Sequence, residues 1–134
     1  VTLVDSNILI DIWADDRDWY DWSLARLNEA TRKGPLLIND IVYAETSIRF
    51  SNVEDFNTAL AASKVNVLPM PSAALFLAGK AFTRYRNAGG PRTGVPPDFF
   101  IGAHAETLDI PILTRDVRRY RHYFPTVELI APQG

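Results

Sequence analysis

The chain has 134 residues, 47% of them hydrophobic, a net charge of −2 and a sequence pI near 5.6. That length and hydrophobic content suit one domain, 1–134, with a core of its own, and exclude a disordered or fibrous chain. The absence of cysteine excludes disulfide frameworks, thiolate metal sites and cysteine nucleophiles, and makes a reducing cytoplasm the default compartment.

No apolar run approaches the roughly 18–20 residues that span a bilayer, so no membrane association is expected. The first strand opens at Val1, and no leader segment is expected before it. Charge is uneven along the chain. Six aspartates face a single Arg17 between Asp5 and Asp21, whereas Lys80, Arg84, Arg86 and Arg92 form one basic stretch and Arg115, Arg118, Arg119 and Arg121 another.

The predicted elements alternate. Val1 to Val4 reads as a buried strand that stops at Asp5, with Ser6 or Asn7 capping the short helix Ile8–Trp13 behind it. An acidic turn, Ala14 to Arg17, precedes a helix over about Asp18 to Arg32. At 100° per residue its apolar face collects Trp19, Tyr20, Ser23, Leu24, Leu27 and Ala30, with Trp22 at the edge beside Arg26. Gly34-Pro35 ends it. Leu36 to Ile38 is the second strand, and Asn39-Asp40 caps a helix reaching about Phe50 that carries Glu45. Ser51-Asn52 opens the helix Val53 to Ser63, and Val65 to Leu68 is the third strand. A helix from Pro69–Ser72 onward carries Ala74, Ala78, Phe82 and Tyr85 as an apolar ladder. Three glycines and three prolines make Asn87 to Pro97 a loop. Asp98 to Leu108 is helical, Ile112-Leu113 a strand, and a short helix through Arg121 precedes a last strand near Val127 to Ile130.

Strands alternating with helices predict a three-layer α/β/α sandwich around a central parallel sheet of four to five strands. Such sheets gather their chemistry outside the carboxyl ends of the strands. Four acids belong there: Asp5 after the first strand, Glu45 on the helix after the second, Asp98 at a helix N-terminus behind Pro96-Pro97, and Asp116 after the fourth strand. Singly, Asp98 and Asp116 serve as helix caps and Glu45 as a solvated residue. Jointly they form a nest of like charges that needs a cation to offset it. Arg115 adjoins Asp116, but its neighbour on a strand points elsewhere. Hard oxygen donors suit Mg²⁺ or Mn²⁺.

The opening Val4-Asp5-Ser6-Asn7-Ile8-Leu9-Ile10 resembles that of PIN-domain nucleases, most of all the VapC toxins of VapBC toxin–antitoxin modules. Asn39-Asp40-Ile-Val-Tyr-Ala-Glu45, Pro97-Asp98-Phe-Phe-Ile-Gly-Ala-His-Ala105 and Ile112-Leu-Thr-Arg-Asp116 follow in the family's order and spacing. Two departures are Ser6, where the family often has threonine, and the bulky Phe99-Phe100 pair, where smaller residues are common. The resemblance implies a metal-dependent endoribonuclease of the bacterial or archaeal cytoplasm, held inactive by a VapB-like antitoxin and forming a homodimer through helices in the Val53 to Tyr85 region. It implies that Asp5, Glu45, Asp98 and Asp116 are catalytic and bind Mg²⁺ (or Mn²⁺), with Asp5 and Asp98 as direct ligands. Ser6 and Thr114 are candidate supports for those acids.

On this reading the ion activates a water that cleaves the RNA phosphodiester, leaving a 5′-phosphate and a 3′-hydroxyl. No histidine is needed: His104 is expected in the core and His122 at the surface. Arg92, Arg115 and Arg118 are the expected substrate contacts, being basic and next to the acids. Trp22 is the expected exposed anchor for a partner. Asp11 is expected to be solvated. A haloacid-type phosphotransferase would need an aspartate where Asn7 stands, and a nucleotide-binding module a glycine-rich turn in place of Ser6-Asn7. The remaining alternative is a PIN-like domain that binds RNA or protein without cutting.

Overall fold

The computed structural model describes residues 1–133. Five short strands, Thr2–Val4 (β1), Leu36–Ile38 (β2), Val65–Val67 (β3), Ile112–Leu113 (β4) and Leu129–Ile130 (β5), form one sheet. Their order is β3-β2-β1-β4-β5, and every neighbouring pair is parallel. The helices are Ser6–Trp13 (α1), Tyr20–Lys33 (α2), Asp40–Ser47 (α3), Val53–Ala62 (α4), Ser72–Asn87 (α5), Pro97–Leu108 (α6) and Arg118–Tyr123 (α7). They cover both faces of the sheet, giving the three-layer α/β/α sandwich that the alternation predicts, here with five strands.

The strands are short apolar runs because a parallel sheet under helices is buried on both faces. Leu3, Val4, Leu36, Ile38, Ile112 and Leu113 are wholly inaccessible, as are Ile8 and Leu9 of α1. Burying each such side chain contributes about 2 kcal/mol, a stabilisation offset largely by chain entropy. The path of the chain through the sheet sets where a ligand can sit. From β1 the chain steps outward through β2 to β3, then returns to lay β4 against the other side of β1. The crevice at the carboxyl ends of β1 and β4 is therefore a topological switch point, where such sheets hold ligands.

Several boundaries differ from expectation for local reasons. Helix α1 begins at Ser6 because Asp5 itself is the cap: its backbone is extended and its Oδ1 accepts from the Ser6 N–H at 2.7 Å. Helix α2 begins two residues later than predicted, since Asp16 Oδ1 takes the N–H groups of Asp18 and Trp19 and holds that segment as a turn. Helix α3 stops at Ser47 rather than near Phe50. The hydroxyls of Thr46 and Ser47 bond back to the carbonyls of Val42 and Ala44 and loosen the last turn. The predicted α2 stripe is graded: Ser23, Leu27 and Ala30 are buried, while Trp19, Tyr20 and Leu24 are half-buried.

Two aromatic clusters flank the sheet. Trp13, Tyr43, Phe50 and Phe56 meet between α1, α3 and α4, largely edge to face. Phe99 of α6 is the hub of the other, contacting Phe82, Tyr85, Tyr123 and Phe124 at centroid distances of 5.0 to 6.3 Å. Gly102, one turn along α6, lets that helix sit on Phe124: a Cβ there would lie 2.3 Å from the ring.

Candidate active site

Asp5, Glu45, Asp98 and Asp116 line one open cleft of ≈ 510 Å³ at the carboxyl edge of the sheet, together with Ser6, Asn7, Arg92, Arg118, Arg119 and Tyr120. Each arrives by a different element. Asp5 terminates β1 and caps α1, Glu45 projects from the second turn of α3, Asp98 sits in the first turn of α6, and Asp116 follows β4.

Asp5 is the most constrained. Its Oδ2 accepts from the Thr114 hydroxyl at 2.8 Å and from the Tyr120 phenol at 2.8 Å, while Oδ1 takes the Ser6 amide. All three donors are neutral. Burial pushes its carboxyl up to about 6, against the opposing pull of the bonds from Thr114, Tyr120 and Ser6 and with a small push from Glu45. Tyr120, equally buried, is held well above the usual phenol range by its own burial and then by the Asp5 charge. Ser6 donates its hydroxyl to Glu45 Oε1 at 2.7 Å. The two candidate supporting hydroxyls thus contact two different acids. Thr114 Oγ1 also accepts from the Asp116 amide at 3.1 Å, which ties the fourth acid's backbone to the first acid's partner.

Asn7 bridges the two halves of the switch point. Its Oδ1 accepts the Arg115 amide at 3.2 Å, and its Nδ2 reaches Thr114 Oγ1 at 3.3 Å. The sequence singled it out only for what it excludes; here it fastens α1 to the turn after β4.

Two expectations need correcting. Asp11 is not solvated: its side chain is 2% exposed and receives Arg115 Nε at 2.6 Å, Arg115 Nη2 at 2.8 Å and the Ser23 hydroxyl at 2.7 Å. The i, i+3 spacing from Ile8 carries it to the buried side of α1. Arg115 accordingly turns away from the cleft. Its guanidinium lies 4.9 Å from the Trp19 ring and pairs with Asp11, which also raises its pKa, so it is not among the residues lining the site. The other candidate arginines, Arg92 and Arg118, do line it, and so does Arg119, which the sequence places in the basic stretch flanking Asp116 without singling it out. Arg119 Nη1 contacts Asp98 Oδ1 at 3.2 Å and Oδ2 at 3.5 Å. Tyr120 was missed as well. The available signal was one aromatic inside the basic run Arg118-Arg-Tyr-Arg121, a residue with reason to face inward.

His104 is wholly buried, with Nδ1 3.4 Å from Asn39 Nδ2, and burial lowers its pKa. His122 is exposed. Trp22 is half-buried, edge-on to Trp19 at 5.8 Å.

The donor set is all oxygen and tests well against a divalent cation: four carboxylates face one cleft, and the most buried of them, Asp5, is met by neutral donors only. Among the described residues, however, no three acids stand close enough to enclose an ion as they are arranged, with Asp98 paired to Arg119.

A parallel α/β sheet with carboxylates gathered at its switch point defines the class: an acidic-cleft α/β domain. The model of the PIN domain family matches residues 2–125, and the chain belongs to that family. No curated protein sequence matches it. Solved structures with the same fold include VapBC2 from Rickettsia felis bound to a DNA fragment from their promoter, with 18% identity, 98% of each chain covered and a TM-score of 0.73. VapBC-1 from nontypeable Haemophilus influenzae is similar, at 22% identity over 97% of this chain and 96% of that one, TM-score 0.71. So is FitAcB from Neisseria gonorrhoeae, at 17% identity over 97% and 96%, TM-score 0.67.

Proposed function

We propose that the protein is a Mg²⁺- or Mn²⁺-dependent endoribonuclease and the toxin of a VapBC-type toxin–antitoxin pair. The observation that carries this reading is the convergence of Asp5, Glu45, Asp98 and Asp116 on one cleft in a PIN-family chain. Asp5 and Asp98 would hold the ion directly, with Glu45 and Asp116 beside them. A bound divalent ion supplies charge neutralisation at the scissile phosphate and an acidified water as nucleophile.

The chain's own residues do the rest. Thr114 and Tyr120 fix the Asp5 carboxylate through its Oδ2, and Ser6 fixes Glu45, so neither acid loses rotamer freedom on meeting the substrate. Glu45 or Asp116, at the rim, accepts the proton released in hydrolysis. Arg92 and Arg118 hold the RNA strand by its phosphates, a role Arg115 cannot share while it is committed to Asp11.

For partners, the reading takes an antitoxin and a second copy of the chain. Exposed Ile48 (84%), Val53, Leu75 and Phe76 (68%) on and beside α3–α5 supply apolar surface for such contacts, more than half-buried Trp22 does. No helix among the described residues is long and apolar enough to cross a membrane, in keeping with a proposed cytoplasmic site of action.

The test is purified protein with RNA in Mg²⁺, in EDTA, and as Asp5→Asn in Mg²⁺. Cleavage is expected in the first condition only. Equal cleavage in all three would mean a contaminant. RNA binding without cleavage in any would favour a non-cleaving PIN-like binding domain.

A further inference from the structure

The Arg119–Asp98 contact has the features of a pair built to separate. Both side chains are 28% exposed, and a single nitrogen, Nη1, serves both carboxylate oxygens at 3.2 and 3.5 Å. Nε and Nη2 make no hydrogen bond among the described residues. The guanidinium rests instead on two rings, 5.3 Å from the Tyr85 centroid and 5.7 Å from that of Phe99. Attraction of a cation to a ring face changes little over a short lateral slide, unlike a directed hydrogen bond.

Arg119 also stands in a cleft lined by four carboxylates, where a cation offsets the repulsion of like charges. With no ion bound, it is the protein's own counter-charge for Asp98. Once Asp98 is committed to an ion, that carboxylate no longer holds the arginine, whose two free N–H edges then face a cleft shaped to receive a polyanion.

We propose, resting on the ribonuclease reading, that Arg119 is a two-position arginine. It neutralises Asp98 in the ion-free protein, and it slides along the Tyr85–Phe99 platform to grip an RNA phosphate when Asp98 takes a divalent ion. RNA binding at this residue is thereby made conditional on a loaded site, whereas Arg92 and Arg118 contact the strand in either state.

The test uses the full chain without a partner, as wild type, Arg119→Gln and Arg119→Lys, each checked by its thermal unfolding. Mn²⁺ affinity is titrated by electron paramagnetic resonance with no RNA present. Affinity for a fluorescent single-stranded RNA oligonucleotide is measured in Mn²⁺ and in EDTA, in the cold and before turnover, with the integrity of the strand checked on a gel. Arg119→Gln is expected to bind Mn²⁺ about fivefold more tightly, the size of a partly exposed ion pair released. It should bind the oligonucleotide more weakly in Mn²⁺ only, with a salt slope smaller by about 0.7, one phosphate contact on a single strand. Arg119→Lys keeps the competing charge and should retain the wild-type Mn²⁺ affinity. Unchanged Mn²⁺ affinity in Arg119→Gln, or an equal loss of oligonucleotide binding with and without Mn²⁺, overturns the proposal alone, provided Asp5→Asn abolishes Mn²⁺ binding. If wild type and both Arg119 variants all fail to bind Mn²⁺, the metal-dependent reading falls and takes the proposal with it.

Discussion

Arg115 and Arg119 lie four residues apart, and each pairs with an aspartate far off in the chain and lies over an aromatic ring, but the two pairs differ in burial and in bonding. The Arg115–Asp11 pair is bidentate, at 2.6 and 2.8 Å, around a carboxylate that is almost fully buried and further satisfied by Ser23. The Arg119–Asp98 pair is longer, made by one nitrogen, and open to the cleft. The first pins β4's trailing turn to α1 and α2; the second leaves its members free for other partners. An ion pair's sign of charge says little about its work. Burial and the number of bonds decide whether it is structure or machinery.

Breaking the inner pair should be the most costly change. Arg115→Met leaves the Asp11 carboxylate buried without its cation and is expected to lose about 3–4 kcal/mol in urea unfolding. Replacing both partners together, Asp11→Leu with Arg115→Met, should recover much of that loss. A single variant within about 1 kcal/mol of wild type, as is common for surface ion pairs, would erase the distinction between the pairs.

Asp5 supplies the contrasting case, a buried acid with no cationic partner among the described residues. Its pKa in the folded protein, about 6, lies above the ordinary 3.8, so the native state holds that proton more tightly than the unfolded chain. The stability this contributes is complete below about pH 4, declines as pH rises through 6, and is absent above that. In EDTA, Asp5→Asn should therefore be more stable than wild type at about pH 7.5, by about 2 kcal/mol, and should lose that advantage at about pH 4. An equal difference at both pH values would contradict the assignment. The same substitution is expected to abolish RNA cleavage.

At the outer pair the effect on folding should be smallest. Arg119→Gln is expected to change stability by less than about 1 kcal/mol. A larger loss in chemical unfolding would make Arg119 a structural residue like Arg115. Between these extremes, Trp19→Leu removes the ring beside the Arg115 guanidinium and should cost about 1 kcal/mol.

Much of this was legible in the sequence, and the gaps have physical causes. The alternation of strands and helices, the buried runs at β1, β2 and β4, and the four acids at strand ends are local patterns, so the sheet and the cleft's acidic lining could be read from them. The cap at α1 was misassigned because Ser6 and Asn7 are good capping types, and only the extended backbone of Asp5 shows which residue does it. The Arg115 assignment failed for another reason. Adjacency in sequence put Arg115 beside Asp116, but a neighbour points elsewhere, and its partner Asp11 is 104 residues away. Arg119 and Asp98 are likewise joined only by the fold. Asp11 was legible in part, since its i, i+3 spacing from Ile8 shared the buried face of α1; an acid on that face needs a buried cation.

Ion-dependent hydrolysis of RNA by the four-acid cleft has its sharpest test in the chemistry of the product ends. A defined RNA is incubated with the protein in Mg²⁺ and in EDTA, and the fragments are weighed by mass spectrometry. Fragments with 5′-phosphate and 3′-hydroxyl ends are expected in Mg²⁺ and none in EDTA. Fragments ending in 2′,3′-cyclic phosphate, formed equally in EDTA and by Asp5→Asn, would contradict the metal-dependent mechanism.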